Sequence, residues 1–351
     1  MSVTTTAVRQ DPRRRNLNIL AGITALFVVL AVVAVWQQAS SLAPKFEQRP
    51  FFPGLGDRLA QLGEIAITSK SGTFHVRLNQ GRWVIPEKGG YPADPAQVRS
   101  VAVGMAELTT LEPKTSNPEM LNFVGLGAPD KGGNGVQLVL NDAMGKPMAD
   151  ILVGQPQGAA DELGRTGVYV RKVSENQTWL ARGSLTPKPN ATDWVDKNVI
   201  NIARDRIKGA SVTPPTGPAY NLSRDNKEQM DFKLLDLPAG RQLSFEGSPD
   251  GVGSAILGFD FDDISKADEL DFSKAAQSVT HTFDGLDVTV KVLTKGADHW
   301  ATISAAGANP MTQAEATQIN ARVGGWAFKL QASKADQFVA TRETLLKPVG
   351  G

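Results

Sequence analysis

Cysteine is absent from this chain of 351 residues. Its absence removes disulfides, thiolate nucleophiles, iron–sulfur clusters and cysteine-ligated zinc together. It leaves the compartment open, because an exported protein with a large enough core does without disulfides. A charge excess is missing as well: 37 Lys and Arg stand against 36 Asp and Glu, a net of +1. Near-neutrality gives no basic footprint for nucleic acid. Histidine is scarce. His75, His281 and His299 lie far apart and form no HExxH pair, so a histidine-built metal site is not expected. No GxSxG elbow occurs, and Gly145-Lys146-Pro147 lacks the upstream Gly and the following Ser or Thr of a phosphate loop.

What the chain does have begins at its N-terminus. Residues 17–36 read LNILAGITALFVVLAVVAVW, 20 positions without a charge. A helix of that length spans roughly 30 Å, the thickness of a bilayer core. Arg13, Arg14 and Arg15 precede it, and Trp36 closes it where an indole prefers the interface. The positive-inside rule then predicts a cytoplasmic tail (1–16), a transmembrane helix (17–36), a polar linker (37–50) and everything beyond outside the membrane. The rival reading is a cleavable signal peptide, with Ser41-Leu42-Ala43 as a weak cleavage site.

Over its full length the chain is 41% apolar and 21% charged, ordinary for a folded protein, and rich in turn formers with 34 Gly and 21 Pro. Phe74, Val76 and Leu78 alternate with His75, Arg77 and Asn79, the period of a half-buried strand. With Glu64 to Thr68 before it and Arg82 to Ile85 after it, this predicts a three-stranded meander. Asp94 is placed to cap a helix with Pro95 in its first turn. The second half replays the order. Gly209 to Thr213 stands where the Ile65 strand stood, Ala219 to Ser223 parallels the Phe74 strand, and Phe232 takes the place of Trp83. A weaker helix is expected over 253–261, and a capping box at Thr312 to Glu315 opens a helix reaching Arg322. GVYVRKVSENQTWLAR (167–182) and GWAFKLQASKADQFVATR (325–342) read as matching hairpins that close the two halves. The predicted fold is α+β, with a transmembrane helix followed by two copies of a mainly antiparallel meander-plus-helix unit, 51–190 and 191–351. A seam between duplicated units is a natural binding crevice.

Several short motifs come in order: Gly81-Arg82-Trp83; Gly90-Tyr91-Pro92-Ala93-Asp94; Lys114 to Glu119 with Asn117-Pro118; Gly125-Leu126-Gly127 before Pro129; Gly167-Val168-Tyr169-Val170-Arg171; and Asp193-Trp194-Val195-Asp196. The set resembles the bacterial domain-of-unknown-function family 4340, over most of the chain after Phe51 and most strongly from Phe51 to Ile207. The resemblance implies a membrane-anchored protein of the bacterial inner membrane with its bulk in the periplasm. Members are often encoded beside gliding-motility-type ABC transporters, which implies an auxiliary role there and a permease or other membrane protein as partner. The family has no established catalytic residues, so Trp83, Tyr91, Pro92, Asp94, Asn117, Pro118, Gly125, Gly167, Tyr169 and Trp194 are carried over as structural positions only.

Candidate chemistry is sparse. The acidic run FDFDDISKADELD (259–271) is the best cation candidate, but it lacks the loop glycine that calcium loops use and reads first as a solvated loop. Gly125-Leu126-Gly127 lacks the third Gly of a dinucleotide fingerprint, and Pro129 forbids the helix opening. Trp83, Tyr169, Trp179 and Trp326 lie in strands and read as core before stacking platforms. The expected function is therefore a non-enzymatic accessory protein of an ABC-type transport system, without cofactor, metal or nucleic acid. The alternative is a periplasmic module binding a cell-envelope component. A hydrolase whose carboxylates or Ser/His pair meet only in the fold is the remote third.

Overall fold

In a computed structural model, the described residues are 24, 26–32, 48–157, 167–235 and 237–348. The chain divides into two units, Met1–Gln48 and Arg49–Gly351. In the first, Thr24 and residues 26–32 are helical, and Leu26, Phe27, Val28, Val29, Leu30 and Val32 are all exposed. Among the described residues no helix is long and apolar enough to cross a membrane. Most of the predicted span 17–36, with Trp36, lies outside the described residues, as do Arg13, Arg14 and Arg15.

The second unit opens on a helical turn, α1 (Leu55–Arg58), and then builds a nine-stranded sheet. Its strands are β1 (Leu62–Ser69), β2 (Gly72–Asn79), β3 (Arg82–Ile85), β4 (Tyr91–Pro92), β5 (Thr109–Pro113), β6 (Val136–Asp142), β7 (Pro147–Gln157), β8 (Gly167–Lys172) and β9 (Thr178–Arg182). Their spatial order is β4-β3-β2-β1-β6-β7-β8-β9-β5. Between β4 and β5 runs α2 (Pro95–Glu107), which buries Val98, Val101, Ala102 and Met105. Asp94 caps it as the sequence predicts, its side chain accepting from the Ala96 N–H at 2.8 Å.

A second, eight-stranded sheet follows: β10 (Ile207–Thr213), β11 (Tyr220–Ser223), β12 (Lys233–Leu234), β13 (Asp263–Lys266), β14 (Ala276–Thr282), β15 (Leu286–Lys295), β16 (Asp298–Gly307) and β17 (Trp326–Leu330), in the order β12-β11-β10-β14-β15-β16-β17-β13. Leaving out β4, the two orders are the same strand for strand. The registers agree in detail. β1 slips by one residue between Leu62 and Glu64 against β6, and β10 slips between Ile207 and Gly209 against β14. Counting from those bulges, Arg77 corresponds to Ser223 and Val84 to Lys233, which sets Phe232 at the position of Trp83.

Where the halves differ, local sequence explains it. The expected helix over 253–261 shrinks to one turn, α3 (Asp250–Gly253). A Cβ on Gly253 would sit 2.5 Å from the Phe232 ring, so this turn packs backbone to ring. Gly258, at φ +57°, ends any continuation. The helix predicted from Thr312 starts earlier, as α4 (Pro310–Val323): Asn309 accepts from the Met311 and Thr312 N–H groups, and Pro310 fills the first helical position. Its Asn320 bonds both the N–H and C=O of Ala305 at 2.8 Å, standing in for a strand where β16 runs past β17. Arg206 holds the same helix by a bidentate pair with Glu315 at 2.8 Å.

The second quoted hairpin is not a hairpin. After β17 the chain forms α5 (Ala332–Val339), which turns Ala335 and Phe338 into the core and lies against β10, β14, β15 and β16. Those two residues are spaced for a helix face, not for a strand. The acidic run 259–271 likewise differs from the solvated loop expected. It contains β13, paired with β17, and its Asp263 and Asp260 meet Lys88 and Lys197 at 2.6 and 3.2 Å.

Both sheets share one buried cluster. Tyr91, from the edge of the first sheet, packs edge-on against Phe261, Trp326 and Phe328 of the second half, with ring centroids 6.3, 5.0 and 6.1 Å apart. At the first sheet's surface, Glu87 accepts from the ring and the backbone N–H of His75, at 2.6 and 3.1 Å. Burial pushes the Glu87 carboxyl up, but these bonds outweigh it and hold the group below its ordinary value. A depressed carboxylate stabilises above its unfolded value and loses that contribution as pH falls through its folded value. Glu87→Gln is therefore expected to lower Tm near neutral pH. In thermal melts across pH, its deficit should shrink as pH falls below the ordinary carboxylate range and the wild-type group takes up its proton.

Candidate functional site

Five of the ten residues singled out by the family resemblance, Trp83, Tyr91, Pro92, Asp94 and Trp194, meet at the seam. Residues 90–94 and 193–196 run side by side: Ala93 bridges Val195, the Asp94 N–H donates to Trp194 O at 2.8 Å, and the Asp196 N–H donates to Pro92 O at 3.0 Å. Tyr91 Oη donates to Asp196 O at 3.1 Å. Burial raises its phenol, and the nearby Asp196 charge adds to the shift, so the hydroxyl stays a donor at physiological pH. Trp194 is fully buried and donates its indole N–H to Lys188 O at 2.8 Å. These contacts fix β4 where the two sheets join.

Beside β4 opens a crevice of about 610 Å³. Trp83, Arg82 and Pro92 line it from the first half, Asp196 from the connecting segment, and Gln318, Arg322 and Trp326 from the second. The volume lies within the range of small-ligand sites. Trp326 is braced behind: Lys266 Nζ stands 3.8 Å from its ring centroid, and the Tyr91 ring meets it nearly perpendicular, at 81°. Arg322 Nη1 donates to Asn198 O at 3.2 Å, which ties α4 to the connecting segment. Among the described residues, neither the Arg82 guanidinium nor the Gln318 amide has a hydrogen-bond or ion-pair partner. The arrangement offers two indoles, an open guanidinium and an amide to whatever enters.

The structure does not bring every flagged residue here. Asn117 caps a 3-10 turn at Pro118 through the Glu119 N–H at 3.0 Å. With Gly125, at φ +70°, they belong to the loop over the other face of the first sheet. Gly167 and Tyr169 lie in β8. Trp83 and Trp326 are half-buried wall residues instead of full core.

A chain of side chains not foreseen from the sequence crosses the open face of the second sheet. Ser211 Oγ lies 2.9 Å from His281 Nε2, and His281 Nδ1 lies 2.8 Å from Asp287 Oδ1. Nucleophile, base and orienting carboxylate stand in this order in hydrolases. The setting differs. The Ser211 hydroxyl also donates to Asn221 Oδ1 at 2.7 Å. β10 is flanked by β11 and β14, so the N–H groups of Ser211 and Val212 are committed to the ladders and supply no backbone oxyanion hole. His281 and Asp287 are 37% and 50% exposed. The chain reads as a polar ladder across neighbouring strands. Among the described residues no group of three or more His, Asp or Glu is placed to hold a metal ion.

The described residues form an α+β protein of two corresponding antiparallel sheets with a crevice at their seam. Residues 83–248 match the family described as Domain of unknown function (DUF4340), so the resemblance drawn from the motifs holds. The match begins at Trp83 and ends at Ser248, so it takes in Trp83, Pro92 and Asp196 of the crevice and reaches past Ile207 into the second sheet, while Gln318, Arg322 and Trp326 lie beyond it. No match is found among curated proteins or solved structures.

Proposed function

We propose that this chain is a duplicated, membrane-tethered binding protein whose seam crevice receives an extracytoplasmic segment of a membrane partner, as an accessory to ABC-type transport. The carrying observation is the crevice itself, with Trp83 and Trp326 as walls and Arg82 and Gln318 uncommitted. Trp and Arg are the residue types that dominate binding energy when they cluster in such a setting. The charge-free stretch 17–36 supports the tether, with Arg13, Arg14 and Arg15 inside and the Arg49–Gly351 unit outside, in the periplasm. Tethering would confine the unit to the membrane plane and raise its effective concentration near a permease. The family resemblance supports the transport setting. Binding rather than catalysis is favoured because the N–H groups beside Ser211 are taken up by strand pairing and its His281 and Asp287 partners are open to solvent.

The crevice also favours a second reading, an envelope component such as a saccharide, because indole faces with amide and guanidinium edges suit sugar rings. A crosslinked pull-down from native membranes separates the two. Wild type should recover permease and ATPase subunits, and the double variant Arg82→Ala, Gln318→Ala, both exposed in the lining, should recover about tenfold less while folding normally. Recovery unchanged by the double variant removes the crevice from the partner contact. Recovery of no transporter subunit moves the assignment to the envelope ligand.

A further inference from the structure

A second hollow, of about 570 Å³, lies on the outer face of the first sheet under the loop that carries Gly125, Gly127 and Pro129. Arg171, only 7% exposed, lines it. Its Nη1 donates to the carbonyls of Glu175 and Val173 at 2.7 and 3.3 Å, in the turn after β8. Its Nε is buried and has no partner. Among the described residues no carboxylate comes within ion-pair distance of this guanidinium. Asp150, whose Oδ1 accepts from Gln137 Nε2 at 2.9 Å, acts on it only through space. A buried charge without a paired anion is costly, and an unused Nε–Nη2 edge is the side on which guanidinium takes a carboxylate in parallel bonds.

We propose that this hollow binds the carboxylate end of a peptide, held side-on by Nε and Nη2 of Arg171. Asn122, Gln137 and Asn176 supply amides for the peptide body, and Leu121 and Leu152 an apolar floor. A planar monoanion fits better than phosphate: Asp130 and Lys131 at the lining offset one another, and Asp150, which already faces Arg171 through space, would repel a dianion. The loop is shaped for the site by backbone approach: a Cβ on Gly133 would fall 2.1 Å from the Gly127 carbonyl carbon. The proposal is independent of the seam crevice.

The test is calorimetric titration of the detergent-solubilised full chain with acetyl-Ala-Ala-Ala, its C-terminal amide, acetate and inorganic phosphate. The tripeptide acid should bind saturably, and the amide, acetate and phosphate each at least about tenfold more weakly. Arg171→Lys, which keeps the charge and loses Nε, should abolish binding. Asn176→Asp, in an exposed turn, should weaken it about tenfold by placing a competing carboxylate at the hollow, and it decides the matter if the lysine variant does not fold. Absent binding of the acid, equal binding of the amide, acetate or phosphate, or wild-type affinity in Asn176→Asp would overturn the assignment.

Discussion

Tyr91→Ala is expected to remove about 3–5 kcal/mol from the stability of the Arg49–Gly351 unit, the range for deleting a large buried ring. Tyr91 is 2% exposed and is the ring through which the edge of the first sheet meets Phe261, Trp326 and Phe328 of the second. The cavity would open where the halves join, so the loss should be shared by both sheets. Urea unfolding followed by far-UV circular dichroism and by tryptophan fluorescence checks this. The two probes should give one coincident transition at a lower midpoint. Two separated transitions, or a loss under about 1 kcal/mol, would show that the halves are held together elsewhere. Tyr91→Phe keeps the ring and removes only the bond to Asp196 O, and should cost about 1 kcal/mol.

Arg224→Ala should be comparably damaging. Arg224 is 1% exposed. Its Nε donates to Ile207 O at 3.0 Å, Nη1 to Gln229 O at 2.7 Å, and Nη2 to Arg204 O at 2.7 Å and to Ile207 O. The guanidinium also lies over the Phe232 and Phe283 rings, 5.0 and 5.8 Å from their centroids. Its removal strands the carbonyls of Arg204, Ile207 and Gln229, which it ties together, and empties a stacked site. About 3–5 kcal/mol is expected, since each buried acceptor left unmet costs about 1–3 kcal/mol and some regain water. Arg224→Lys keeps a charge but cannot span all three carbonyls, so it should recover less than half of the loss. Equilibrium denaturation of both variants checks the order. A lysine variant as stable as wild type would show that the charge alone matters.

Much of the first sheet was legible because its strands alternate cleanly and its helix announces itself with Asp94-Pro95. The correspondence of the halves was legible in the strands nearest their starts, down to Phe232 in the place of Trp83. It misled at 325–342, where a strand followed by a polar stretch imitates a hairpin. Only two core residues, Ala335 and Phe338, mark α5, and QASKADQ hides their spacing. β13 was invisible for a different reason. It is a polar segment recruited to a sheet edge by backbone bonds to β17, which no side-chain pattern records. The crevice was half legible. Trp83 and Pro92 stand in the motifs, whereas Gln318 and Arg322, one turn apart on α4, meet them only through the seam. That spacing followed by Trp326 was a signal, but one without a partner in the sequence. The Ser211–His281–Asp287 ladder arises from register between three strands and could not have been read from spacing.

The claim that the seam crevice receives a membrane partner is tested most directly by a photo-crosslinking amino acid placed at Gln318, on the exposed side of α4 and within the lining. Irradiation of native membranes should give one protein adduct, a permease subunit by mass spectrometry, and the adduct should vanish with Trp83→Ala. An adduct that persists with Trp83→Ala, or no protein adduct from Gln318 while a probe on the far face yields one, would contradict the account.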